Sequence, residues 1–251
     1  MKKIALVTGG SRGLGKNMAI RLAEKGSDII ITYRSKEDEA YEVVKEIEAA
    51  GSKAAALQFE AADIKSIDNF LSTVQQTLKE KFQTDKFDFL VNNAGMGATI
   101  PFLKATEENF DEFINVHYKS VYFLIQKSLP IMNDGGRIIN ISSGTTRFAN
   151  PGYSIYSSAK GAVEVLTRSI AKEIGNRKIT VNIVAPGPIE TDFNDAAIRN
   201  NPERKAMLSN LTALGRVGNA EDIGGVVAFL CSEDAGWING QRIEVSGGIN
   251  L

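Results

Sequence analysis

The chain has 251 residues, with 29 basic and 30 acidic side chains and a formal charge of −1. That length buries a sizeable core without staples, and the balanced charge gives no attraction for nucleic acid or an anionic membrane surface. One cysteine, Cys231, and one histidine, His117, exclude an internal disulfide, a cysteine-based zinc site and a multi-histidine metal centre, so no metal is expected. The opening apolar run, residues 4–7, is far shorter than a secretion signal, and nothing approaches a membrane span. A cytoplasmic setting is expected.

Short β-rich runs alternate with amphipathic segments along the chain. A strand at 4–8 precedes a helix at 13–24. A strand at 28–33 precedes a helix at 36–50. The run 54–59 is a third strand, 66–81 a helix and 87–92 a fourth strand. A long helix lies within 107–131. A strand at 137–142 precedes a helix at 155–174, and a strand at 179–184 follows. The segment 186–214 is the least regular. A helix at 220–231 and a seventh strand at 242–245 close the pattern. The strands are apolar and β-branched, as expected when helices cover both faces. This predicts an α/β fold: a doubly wound parallel sheet of about seven strands with helices on both faces, Rossmann-type, in a single domain over 1–251.

The first strand runs into Thr8-Gly9-Gly10-Ser11-Arg12-Gly13-Leu14-Gly15 and then a helix. Glycines permit a tight turn and close approach of backbone N–H groups to a phosphate, and the helix N-terminus favours the anion. The second strand ends Thr32-Tyr33-Arg34-Ser35, without the carboxylate that would bind an adenosine ribose and repel a 2′-phosphate. Arg34 and Arg12 suit that phosphate, so NADP(H) is expected in preference to NAD(H).

Tyr156 and Lys160 stand four residues apart on a predicted helix and so share a face. A cation there is expected to lower the phenol pKa and suit it to proton transfer. The spacing alone decides nothing, because Tyr41 and Lys45 repeat it on a charged, surface-type helix. The surroundings decide: Ser143 ends the apolar strand before the helix, where its hydroxyl can hydrogen-bond a substrate oxygen.

Together, Thr8–Gly15, Asn92-Asn93-Ala94-Gly95, Ser143, Tyr156 with Lys160, and Pro186-Gly187-Pro188-Ile189-Glu190-Thr191 resemble the short-chain dehydrogenase/reductase family over nearly the whole chain. Leu214-Gly215-Arg216 and Glu221-Asp222-Ile223 make it most similar to the 3-oxoacyl-[acyl-carrier-protein] reductase branch. The resemblance implies hydride transfer at the nicotinamide between a carbonyl and an alcohol. Tyr156 would exchange the proton, Lys160 would hold the nicotinamide ribose and lower the tyrosine pKa, and Ser143 would orient the carbonyl. Gly9, Ser11, Arg12, Gly13, Leu14 and Gly15 would cradle the pyrophosphate side. Tyr33, Arg34 and Ser35 would meet the adenosine ribose, and Asp63 and Ile64 the adenine. Asn93, Ala94 and Gly95 would pack beside the cofactor, and Pro186, Gly187, Ile189 and Thr191 would contact the nicotinamide side. Family members that carry an acid for NAD place it where Tyr33 stands. A homotetramer paired through helices at 109–131 and 156–174, with the apolar end 249–251 in a second interface, is also implied.

One position departs from the family. The register set by Val121-Tyr122 puts His117 where members carry an asparagine that helps a water chain reach the lysine. Histidine also binds water, relays protons and titrates near neutrality. His117 is therefore expected either to carry the relay, with a pH dependence near neutral, or to be a packed residue. A lid at 192–211 and walls at 97–102 and 145–153 would shape the substrate site. They leave 3-oxoacyl thioesters, sugars, polyols and steroids open. The alternative of another class is a cofactor-binding scaffold or redox sensor with little turnover.

Overall fold

A computed structural model describes residues 2–251. Seven parallel strands form one sheet: β1 (Ile4–Val7), β2 (Asp28–Tyr33), β3 (Ala54–Gln58), β4 (Phe87–Asn92), β5 (Met132–Ile141), β6 (Thr180–Pro186) and β7 (Arg242–Val245). Their order is β3-β2-β1-β4-β5-β6-β7. The chain winds outward one way from β1 and the other way from β4. The crevice between those two strands is where ligands bind in open α/β sheets.

The pleat explains the two-sided core. Ile4 and Leu6 face one layer with Ile30, Leu90, Ile138 and Val181. Ala5 and Val7 face the other with Ile29, Ile31, Val91, Ile139 and Val184. On the first side pack α3 (Ile67–Thr77), α5 (Ser120–Ser128) and α6 (Ser154–Glu173), through residues such as Val74, Leu124 and Val163. On the second pack α1 (Gly13–Glu24), α2 (Glu37–Ala49) and α9 (Glu221–Leu230), through Met18, Val43 and Val227. Because both faces are covered, every residue of β1, β2, β4 and β6 is buried. Cys231 lies in this core as a buried free thiol.

Several regions differ from the sequence expectation: the helix at 66–81 gives way to a π turn at Leu78–Phe82, and β5 begins at Met132 instead of 137. The long helix is broken: α4 (Glu107–Ile114) and α5 flank a π turn, Asn115–Lys119. Periodicity of the flanking apolar residues does not register one wide turn. The irregular segment contains α7 (Phe193–Ala196) and α8 (Pro202–Asn210). No apolar stripe marks α8, which buries no residue; its start is set by Pro202 in the first turn and by Asn201, whose side chain accepts from Arg204 N.

Candidate active site

The glycine turn sits at the carboxyl end of β1 and is stitched to β4. Thr8 Oγ1 accepts from Asn93 N at 2.9 Å and Ala94 N at 3.0 Å, and Asn93 Nδ2 donates to Thr8 O and Gly9 O. On the other side Gly9 N donates to Thr32 Oγ1 at 3.0 Å. Gly9 has φ +66, and a Cβ on Gly15 would stand 2.1 Å from Gly9 O. The turn therefore presents bare backbone at the start of α1, whose first N–H groups lack helical partners. Arg12 and Arg34 are exposed beside it, Arg34 4.0 Å from Glu60. Ser11, Gly13 and Leu14 line the same turn, and Thr191 lies within 3.8 Å of a Cβ built on Gly13.

Several of the residues expected at the cofactor also make contacts within the protein. Tyr33 is buried, and its hydroxyl donates to Glu37 at 3.0 Å; burial and that carboxylate push its pKa up to about 12. Asn93 is spent on the turn. Asp63, with Ile64 after it, caps a short 3-10 turn by accepting from Lys65 N. Ser35 is exposed next to Arg34. Pro186 ends β6, Gly187 N donates to Val245 O, and Ile189 bridges Gly218.

Ser143, Tyr156 and Lys160 come together across the crevice from this turn. β5 delivers Ser143 in extended backbone, and its Oγ accepts from Thr145 N at 3.2 Å and Thr145 Oγ1 at 3.1 Å. The helix α6 delivers the other two. Lys160 Nζ donates to Ile141 O at 2.8 Å and lies 5.8 Å from the centre of the Tyr156 ring. The expected lowering of the Tyr156 pKa is not found. Burial dominates and pushes it up to about 12, against a hydrogen bond from Ser143 that favours phenolate. The lysine cation does not offset this, because burial also brings its own pKa down to about 8. Tyr41 and Lys45, the matching pair on α2, are exposed, and Lys45 pairs with Glu42.

His117 projects from the π turn and is 1 % exposed. Its ring meets Tyr156 edge-on at 5.0 Å. Nε2 lies 2.8 Å from Met96 O and 3.4 Å from Met96 N, and the shorter contact favours a protonated Nε2 that donates to the carbonyl. Nδ1 is then a bare acceptor, buried and without a partner among the described residues. Titration of His117 itself near neutrality is disfavoured. Burial first, and the nearby Lys160 charge second, hold the imidazole pKa well below its ordinary value, so the ring is neutral. Gly95 approaches it closely: a Cβ there would lie 2.9 Å from His117 Cε1.

A charged network invisible to sequence spacing backs the Ser143 loop. Glu164 Oε1 accepts from Ser142 Oγ at 2.7 Å, Thr146 Oγ1 at 2.8 Å and Arg242 Nε at 2.9 Å. Arg242 also donates to Ser143 O. Glu244 joins Arg242 to Arg147, and Arg147 donates onward to Ile249 O and Asn250 O. Tyr153, one turn before Tyr156, gathers the 192–211 segment and Thr99. Its Oη receives Arg204 Nη2 at 3.1 Å, Asn194 Nδ2 at 3.2 Å and Thr99 Oγ1 at 3.4 Å. Phe193 faces Tyr156 with ring centres 6.1 Å apart. The i, i+3 spacing of Tyr153 and Tyr156 was the available signal; Arg204 left none.

Residues 9–250 match the family model described as Enoyl-(Acyl carrier protein) reductase. The chain is 39% identical over 253 residues to the 3-oxoacyl-[acyl-carrier-protein] reductase FabG of Staphylococcus aureus, covering 100% of this chain and 99% of that one. It belongs to the short-chain dehydrogenase/reductase family. Within that family it is also 38% identical over 257 residues to the hydroxynaphthalene reductase-like protein Arp2 of Metarhizium brunneum, with 98% and 94% coverage. The crystal structure of the angucycline C-6 ketoreductase LanV with bound NADP superposes with a TM-score of 0.94 at 40% identity, over 99% of this chain and 96% of that one.

Proposed function

We propose that this family member is an NADP(H)-dependent oxidoreductase interconverting a carbonyl and a secondary alcohol, with Tyr156 as general acid in reduction and general base in oxidation. The convergence of Ser143, Tyr156 and Lys160 beside the glycine turn carries the reading. Ser143 Oγ holds the substrate oxygen, and Tyr156 Oη gives that oxygen a proton. A phenol with pKa about 12 stays protonated at neutral pH, which favours reduction. Lys160 is charged below pH 8 and steadies negative charge on Tyr156. When bound, the cofactor supplies or accepts the hydride.

The chain's own residues fit that cofactor. The bare-backbone turn Gly9–Gly15, with Ser11, Gly13 and Leu14, takes the pyrophosphate. Arg12 and Arg34 take the 2′-phosphate, with Tyr33 and Ser35 beside them. Asp63 and Ile64 flank the adenine, Asn93, Ala94 and Gly95 pack beside the cofactor, and Pro186, Gly187, Ile189 and Thr191 meet the nicotinamide side. NADP bound to LanV supports the choice. His117 completes the site as a neutral acceptor, its Nδ1 holding a water or the Lys160 ammonium in place with no proton passing through the ring. Residues 192–211 act as the lid of a single unit, and the assembly is a cytoplasmic homotetramer. None of the described helices is long and apolar enough to cross a membrane.

The test is NADPH oxidation followed at the nicotinamide absorbance with a panel of 3-oxoacyl thioesters, sugars, polyols and steroid ketones, with NADH in parallel. Reduction of at least one carbonyl, lost about 10²- to 10⁴-fold in Tyr156→Phe, is expected. Tight NADPH binding without turnover of any carbonyl would establish the scaffold alternative instead.

A further inference from the structure

We infer that Arg204 recognises an anionic group on the substrate, so that the physiological substrate is a carbonyl compound bearing a carboxylate or phosphate. The inference rests on the carbonyl-oxidoreductase reading above and names its substrate class.

The lid holds three cations, and two are satisfied. Arg199 pairs with Asp192 at 2.6 Å and Lys205 with Glu190 at 2.6 Å. Arg204 is half-buried, yet among the described residues it has no carboxylate partner. Among the described residues its guanidinium makes one side-chain hydrogen bond, to Tyr153 Oη at 3.1 Å. A guanidinium offers five N–H donors suited to bidentate carboxylate or phosphate binding, and a neutral phenol oxygen is a weaker acceptor than either. A cation drawn out of water without a counter-charge is unfavourable, and an arriving anion relieves that penalty.

Location supplies the second argument. Arg204 N is held by the Asn201 side chain at 2.9 Å, which fixes the first turn of α8. The phenol it reaches belongs to Tyr153, whose ring is 6.1 Å from that of Tyr156. Asn194 and Thr99 donate to the same oxygen, so three donors from lid and wall converge where a neutral hydroxyl now sits. A substrate oxyanion displacing the phenol oxygen would meet all three. Its carbonyl would lie toward Tyr156 and Ser143, its anion toward the lid, a short chain apart.

The experiment measures kcat/KM with NADPH for acetoacetate and levulinate against their methyl esters, and for dihydroxyacetone phosphate against dihydroxyacetone. It uses wild type, Arg204→Leu, Arg204→Lys and Tyr153→Phe. At least one acid should be preferred over its neutral partner by about tenfold or more. That preference should vanish in Arg204→Leu and survive in part in Arg204→Lys. The carboxylate and phosphate arms decide which anion is recognised. Equal use of acid and neutral partner by wild type overturns the proposal. So does an Arg204→Leu loss that is the same for both, because a residue that merely latches the lid through Tyr153 would act on all substrates alike. Turnover of neutral carbonyls alone overturns this inference only; no turnover of any carbonyl overturns the oxidoreductase reading with it.

Discussion

Single side chains carry the chemistry, and their pKa directions predict its pH dependence. Tyr156 is protonated up to about pH 12 and Lys160 is charged below about 8. Carbonyl reduction should therefore hold steady through neutrality and decline above about pH 8, as a pH profile of kcat will show. For His117 the folded-state pKa is depressed from its ordinary 6.5. Below that pH the unfolded chain binds a proton that the folded chain refuses, so stability present above 6.5 is lost on acidification. Thermal melts of wild type should fall from pH 7 to 5 more steeply than those of His117→Asn. The acceptor role of Nδ1 is tested by turnover: His117→Asn should retain more kcat than His117→Ala, and equal values would leave only packing. At the phosphate end, Arg34→Ala combined with Arg12→Ala should raise KM for NADPH about tenfold or more without changing that for NADH. Much of this was legible in the sequence, because Ser143, Tyr156 and Lys160 stand at fixed offsets from a strand end. What was not legible is the sign of the Tyr156 shift. Spacing places a cation near a phenol, but only packing tells how much water both have lost.

At the scale of elements, each strand end carries a loop that the next layer must hold in place. Strands and helices with a period of their own were readable: β2, β4, β7 and α1 begin and end where the residue pattern changes. The π turn at Asn115–Lys119 was not, since a single wide turn leaves the apolar stripes of α4 and α5 intact while rotating His117 inward. The lid helices were missed for the opposite reason: α8 buries nothing, and so has no stripe to read. The glycine turn is the element most exposed to test. Gly15→Ala would drive a methyl group into Gly9 O, 2.1 Å from its ideal position. The turn must then open, and the rise in melting temperature that NADPH is expected to give the wild type should be absent.

Across the whole molecule, a sheet covered on both faces leaves the outer helix surfaces for association. Phe110, Tyr122 and Val165 are exposed on α4, α5 and α6. Light scattering should report four chains per particle, and the triple change to Ser, Gln and Thr at those positions should yield smaller particles; a wild-type monomer at micromolar concentration would remove the tetramer. The other end of the sheet behaves differently. Through Arg147, Glu244 and Arg242, the carbonyls of Ile249 and Asn250 are linked to the backbone carbonyl of Ser143. Residues 249–250 are thereby wired to the loop that carries Ser143. A purification tag fused after Leu251 would pull on that wiring, whereas one placed before Lys2 would not, so the choice of fusion end should itself be visible in the measured turnover.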